Sequence, residues 1–148
     1  MKELSTDIEI NAPAARVWQV LTDTEAFSEW NPSIASIDGQ LEEGSRISMR
    51  VTPKRGMAMT VKATVIKAEP DRELRWLGHL VTSALFAGEQ SFTIEPLSGG
   101  SVRFRQAERF TGILVPLMGL IGAFRNTHDD FVRMNEALKK RAEADSPQ

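Results

Sequence analysis

The chain has 148 residues, with 18 Lys and Arg against 20 Asp and Glu and a net charge of -2. That is one domain's worth of sequence, long enough for a real core, and its charge balance offers no basic footprint for nucleic acid. With no cysteine and no tyrosine, disulfides, thiolate nucleophiles and phenol acids are excluded.

Leu4 to Ile10 alternates in character and predicts a half-exposed first strand. Asn11 is placed as a helix cap with Pro13 in the first turn, and Ala14, Val17, Trp18 and Leu21 form the buried face of a short helix. A second helix start is expected at Thr22, with Glu25 at capping-box spacing; Phe27 and Trp30 anchor it and Pro32 ends it.

From Ile34 the period changes to two. Ile34 to Asp38, then Ile47, Met49 and Val51, then Met57 to Ile66 read as strands, the last with Met57, Met59, Val61, Ala63 and Val65 on one side. Asp71 opens the next, whose Leu74, Trp76 and Gly78 face opposite Arg75, Leu77 and His79. Gln90, Phe92 and Ile94 follow, and after a Gly99-Gly100 turn the residues Val102, Phe104, Gln106, Glu108 and Phe110 share a face. Prolines 13, 32, 53, 70, 96 and 116 all fall at boundaries or turns, which supports this segmentation.

The chain closes on a long amphipathic run. Leu117, Leu120, Ile121, Phe124, Phe131, Met134 and Leu138 recur in steps of about three and four, predicting a helix from Leu117 to Ala142 roughly 35–38 Å long. Gly112, Gly119 and Gly122 with Pro116 fit either a flexible apolar gate over a pocket mouth or a loop with a late helix start near Gly122. Lys139, Lys140 and Arg141 complement the helix dipole. The Met1–Ile10 segment lacks a signal-peptide core, and Ile113 to Phe124, about a dozen residues, is too short to span a bilayer. The expectation is a cytoplasmic chain without a transmembrane segment. Short strand connections and a terminal helix give an α+β class.

Particular motifs sharpen that class. Asn11-Ala12-Pro13 with Val17-Trp18 and Leu21, then Glu29-Trp30-Asn31-Pro32, Leu74-Arg75-Trp76, Phe92-Thr93-Ile94-Glu95-Pro96 and Glu108-Arg109-Phe110-Thr111-Gly112 resemble the START-like, or SRPBCC, superfamily over nearly the whole chain. That superfamily includes polyketide cyclase/dehydrase, lipid-transport and birch-pollen-allergen types. The resemblance implies a single helix-grip domain over residues 1–148, with a curved antiparallel sheet of about six to seven strands around the terminal helix. It also implies a deep apolar cavity. Gln90 stands where many relatives carry histidine.

The expected cavity wall is Trp30, Met49, Met59, Val61, Trp76, Gln90, Phe92, Phe104, Gln106, Glu108, Phe110, Leu117, Leu120, Phe124, His128 and Phe131. The aromatic residues suit a flat or long apolar guest, and the methionines add deformable surface. Strand parity turns Glu108 inward, either as a general acid/base or ligand anchor, or as a salt-bridged or wet carboxylate near the strand end at the cavity mouth. His128 falls on the apolar stripe, either as a ligand partner or proton shuttle or as a satisfied core histidine. His79 is expected to point outward. Two histidines and no cysteine make no metal site, and no cofactor motif occurs. The function expected is binding or transport of a hydrophobic small molecule by a monomer or homodimer. The alternatives are a cyclase/dehydratase using Glu108 and His128, and a module that docks Ile113 to Phe124 on a membrane or protein.

Overall fold

The computed structural model describes residues 1–80 and 84–144, with the side chains of Leu80 and Ala123 left aside. Within the described residues, seven strands form one antiparallel sheet in the order β1-β7-β6-β5-β4-β3-β2. They are β1 (Lys2–Ile10), β2 (Ile34–Asp38), β3 (Arg46–Val51), β4 (Met59–Glu69), β5 (Glu73–Leu80), β6 (Phe86–Pro96) and β7 (Val102–Thr111). Helix α1 (Ala14–Thr22), a 3-10 turn at Thr24–Ala26 and α2 (Phe27–Trp30) link β1 to β2, and α3 (Val115–Leu120) and α4 (Ala123–Glu143) end the chain.

Alternation drives the sheet. Along β7, Val102, Phe104, Gln106 and Phe110 are buried while Arg103, Arg105 and Arg109 are exposed. The register is unbroken against both β1 and β6. Breaks in pairing occur elsewhere, between Ile34 and Ser36 in β2 and between Val65 and Lys67 in β4. Such an extra residue bends its strand and increases local twist, and the sheet curves around α4 in a helix-grip arrangement. Phe131, Met134, Leu138 and Ala142 form the buried stripe of α4.

The far end of α4 is tied down by polar contacts. Arg16 donates to the carbonyls of Arg141 and Ala142, and Lys139 Nζ donates to the Glu9 carbonyl at 2.9 Å. Glu143 accepts from Lys139 and from the Asn11 N–H, and these two bonds hold its carboxyl below the usual range.

Four local expectations are corrected. The terminal run is two helices, because Gly122 adopts a left-handed φ of 77° and α4 begins only after it. Asn11 does not cap α1; Pro13 takes that position without a side-chain bond, and the Asn11 N–H goes to Glu143 instead. Thr22 starts no helix, since its hydroxyl donates back to the Trp18 carbonyl at 2.7 Å. Met57 precedes β4 and is 84% exposed, lying in the turn around Gly56 where the alternation has not yet begun.

Candidate functional site

Between the sheet and the first half of α4 lies a cavity of about 280 Å³. Met49, Val61, Trp76, Phe110, Phe124 and Phe131 give it apolar walls, and Gly78 and Gly88 form part of its floor. These two glycines are direct partners across β5 and β6, and both have ordinary extended backbone rather than left-handed φ. Their contribution is therefore missing volume. Exposed Met59 and His79, with half-buried Pro53 and Thr127, mark the rim.

A chain of side-chain amides runs along one side of the cavity. Trp76 Nε1 donates to Gln90 Oε1 at 3.1 Å, and Gln90 Nε2 donates to Gln106 Oε1 at 2.8 Å. Gln106 Nε2 then donates to Asn135 Oδ1 at 2.8 Å, and Asn135 Nδ2 to Thr6 Oγ1 at 2.8 Å. Each link fixes the orientation of the next, because an amide that gives its oxygen to one neighbour presents its nitrogen to the other. The series joins β5, β6, β7, α4 and β1, so it also pins the helix to the sheet. Gln106, with no exposed surface, is its centre.

Glu108 differs from these amides. It is the cross-strand partner of Gln90 and lines the same cavity. No described residue gives it a hydrogen bond or a counter-ion. Its side chain is half-buried at the apolar wall, and desolvation there pushes its carboxyl up to about 8, with no described partner to offset it. Its head lies over Gly88: a Cβ added there would overlap Glu108 Oε2. Asp130, the other carboxylate on the wall, is engaged, accepting from the Lys54 N–H at 3.1 Å and from Arg133 at 2.8 Å. Near neutral pH the cavity therefore presents a carboxylic acid in an apolar hollow beside fixed amides.

The sequence profile of the polyketide cyclase/dehydrase and lipid transport family matches residues 1–143. The chain belongs to that family. No functionally curated protein matches it in sequence. Among solved structures it is similar to the ZhuI aromatase/cyclase from a Streptomyces species, at TM-score 0.77 and 17% identity, covering 96% of this chain and 93% of that one. It is similar also to a START superfamily protein from Mycobacterium smegmatis, at TM-score 0.73 and 20% identity, covering 95% and 97%. Norcoclaurine synthase from Thalictrum flavum matches at TM-score 0.72 and 12% identity, over 99% of this chain and 89% of that one. At these identities the likeness is one of fold.

In this member of the polyketide cyclase/dehydrase and lipid transport family, the predicted wall residues divide. Met49, Met59, Val61, Trp76, Gln90, Gln106, Glu108, Phe110, Phe124 and Phe131 reach the cavity. Phe92 and Phe104 do not; both are fully buried in the packed half of the core, their rings 6.0 Å apart. Trp30 packs edge-on against Phe27 at 5.4 Å, on the far side, beside a separate surface hollow near Arg16 and Arg141.

Leu117 and Leu120 are also corrections. They are 54% and 85% exposed, because the break at Gly122 resets the helix and their periodicity does not carry into α4. Met118 is the α3 side chain that reaches the cavity. His128 is exposed and off the wall. At about 100° per residue it falls roughly 20° beyond Asn135, outside the buried arc of α4. Glu108 and His128 therefore do not converge.

Sequence reasoning missed Ser33, Ile34, Val51, Pro53, Phe86, Met118, Thr127, Asp130, Met134 and the two floor glycines. Gly78 was legible in principle, since it continues the parity of Leu74 and Trp76. Gly88, two residues before Gln90, carries the same signal. His79, expected outward, is exposed and touches the cavity at its rim.

Proposed function

We propose that this protein binds a small hydrophobic molecule in the cavity beneath α4. The observation that carries the reading is a hollow with predominantly apolar walls on which, among the described residues, the Glu108 carboxyl has no partner. An apolar cavity of about 150 Å³ can take up benzene, so 280 Å³ suits a compound of bicyclic size better than a long diacyl lipid. Met49, Met59, Met118 and Met134 supply walls that yield to differing shapes.

Native mass spectrometry of protein purified from its own host tests this directly. The expected result is a bound organic mass in stoichiometric amount, lost in a Val61→Trp variant that fills the hollow but keeps the fold. Absence of any bound mass, together with no saturable uptake of bicyclic aromatic probes, would overturn the reading. A cyclase/dehydratase role has less support, since His128 lies outside and Asp130 is committed to Lys54 and Arg133. Among the described residues that leaves Glu108 on the wall and His79 at the exposed rim to move a proton.

One observation favours an accessory reading. Ile113, Leu117, Leu120 and Ile121 are all more than half exposed, on and around α3, beside the Met118 that reaches the cavity. Large exposed apolar side chains grouped near a pocket support loading from an apolar phase such as a bilayer surface. Flotation with lipid vesicles tests it: the protein should rise with the vesicles, and a Leu120→Asn, Ile121→Asn variant should not.

A further inference from the structure

Among the groups on the cavity wall, Glu108 and Gly88 form a couple that the reading above leaves unexplained. Gly88 sits in extended backbone, where any residue is tolerated, and it occupies no turn. A glycine inside a strand weakens the strand unless its missing side chain makes room for something. Here the space is taken by the carboxyl head of Glu108. In the adjacent strand, the space over Gly78 is limited instead by Val61, whose Cγ1 would lie 3.3 Å from an added Cβ. The Glu108 head is thus seated in a notch of its own over Gly88, and no described residue salt-bridges it at the strand end.

The surroundings decide what that head can do. β1 places Leu4 opposite Glu108, and β6 contributes Gly88 and Gln90. Met118 of α3 and Phe124 and Phe131 of α4 close the space. The other titratable groups at this cavity are Asp130, already bonded to Lys54 and Arg133, and His79 at the rim. No described cation faces Glu108 from any of these elements. Beside it, Gln90 uses one of its two amide hydrogens on Gln106 and its oxygen on Trp76, leaving the second hydrogen without a partner among the described residues.

Resting on the cavity-binding reading, we infer that Glu108, seated on Gly88 and flanked by Gln90, is a hydrogen-bond donor that selects neutral hydrophobic ligands bearing a carbonyl oxygen. The acid O–H and the spare Gln90 N–H are two donors that a carbonyl, with two lone pairs, is suited to accept. A carboxylate ligand would bring an unpaired negative charge into an apolar space where no described residue facing Glu108 offers a cation. A pure hydrocarbon would leave both donors unmatched, which is costly in an apolar space. Ketones, quinones and esters belong to the selected class; free fatty acids do not.

Equilibrium binding of three probes of one size tests the inference: 2-acetylnaphthalene, 2-isopropylnaphthalene and 2-naphthoate, each measured at pH 6 and pH 9.5. The wild-type protein should bind the ketone about 10-fold more tightly than the hydrocarbon at pH 6. Naphthoate should bind weakest, and the ketone advantage should shrink at pH 9.5, where Glu108 has lost its proton. Glu108→Gln keeps a donor and should preserve the ketone advantage at both pH values. Glu108→Leu should abolish it while still binding the hydrocarbon. Gly88→Ala, which unseats the carboxyl without removing it, should reduce the advantage.

Equal binding of ketone and hydrocarbon by the wild type at pH 6, or an undiminished ketone advantage in Glu108→Leu, overturns this inference alone. Failure of all three probes to bind overturns the cavity reading and this inference together.

Discussion

The two ends of the sheet–helix interface share one frame and reach opposite results. Inward positions pair across β6 and β7 as Ile94 with Phe104, Phe92 with Gln106, Gln90 with Glu108, and Gly88 with Phe110. At the first of these pairs the space is solid: Phe104 stacks on Phe92, which meets Trp76 edge-on at 5.2 Å. Leu138 of α4, Val17 and Leu21 belong to the same packed core. Two pairs further along, an amide and a carboxyl face each other, and one step beyond, β6 offers only a glycine. The strands keep their register throughout this stretch. A hollow can therefore be made by changing side-chain volume at fixed parity, without distorting the backbone.

This contrast yields its largest test at the packed end. Phe104→Ala should lose about 3–5 kcal/mol in denaturant unfolding, as expected for an aromatic side chain removed from a close-packed site. Phe124→Ala, by the cavity, should lose markedly less, since its ring meets Phe110 at 4.8 Å but faces space on the other side. Equal losses at the two sites would mean that the two halves are packed alike.

Next in size is the polar seam between the halves. Gln106→Leu preserves bulk but removes the partner of Gln90 Nε2 and of Asn135 Oδ1. Two buried polar groups left unmatched should cost about 2–4 kcal/mol. An Asn135→Leu variant should lose a similar amount, and the double mutant less than the sum, because both belong to one chain of bonds.

A third test uses protons. An unfolded glutamate releases its proton at its ordinary pKa, whereas folded Glu108 holds it up to about 8. Between these limits the folded state binds the extra proton, so stability falls as pH rises, by at most about 1.4 kcal/mol per pH unit, and levels off above the folded value. Glu108→Gln should remove this slope, so its advantage over wild type grows from pH 5 to pH 9 in urea titrations. Parallel pH profiles for the two proteins would place Glu108 in water.

How much of this was legible depends on periodicity. The β7 face could be read residue by residue because Val102, Phe104, Gln106, Glu108 and Phe110 alternate without a bulge, and the register keeps that parity. Near the α3–α4 junction the same reasoning failed. Leu117, Leu120, Phe124 and Phe131 fit one helical spacing, yet a single left-handed glycine at 122 separates the first two from the last two. A pattern of apolar residues does not record where the helix axis changes direction. Nor does it reveal which inward residues meet a partner and which face space. Phe92 and Phe131 have the same character in sequence, but only Phe131 borders the hollow. That distinction depends on the volumes of neighbours from other strands, such as Gly78 beside Gly88, which come together only once the register is set.

The smallest expected effect concerns the apolar residues that belong to neither half. Leu120 has the size and hydropathy of a core residue, and its spacing joins it to Phe124 and Phe131, yet it is 85% exposed. Replacing an exposed side chain that makes no buried contact usually changes stability by no more than about 0.5 kcal/mol. Leu120→Asn should therefore unfold at nearly the wild-type denaturant concentration, in contrast to Phe104→Ala. A loss above about 2 kcal/mol would be in the range for truncating a buried leucine, and would mean that α3 packs inward in solution and that the terminal stripe is continuous after all. A near-zero change would instead establish that Leu120 is held at the surface for something other than stability.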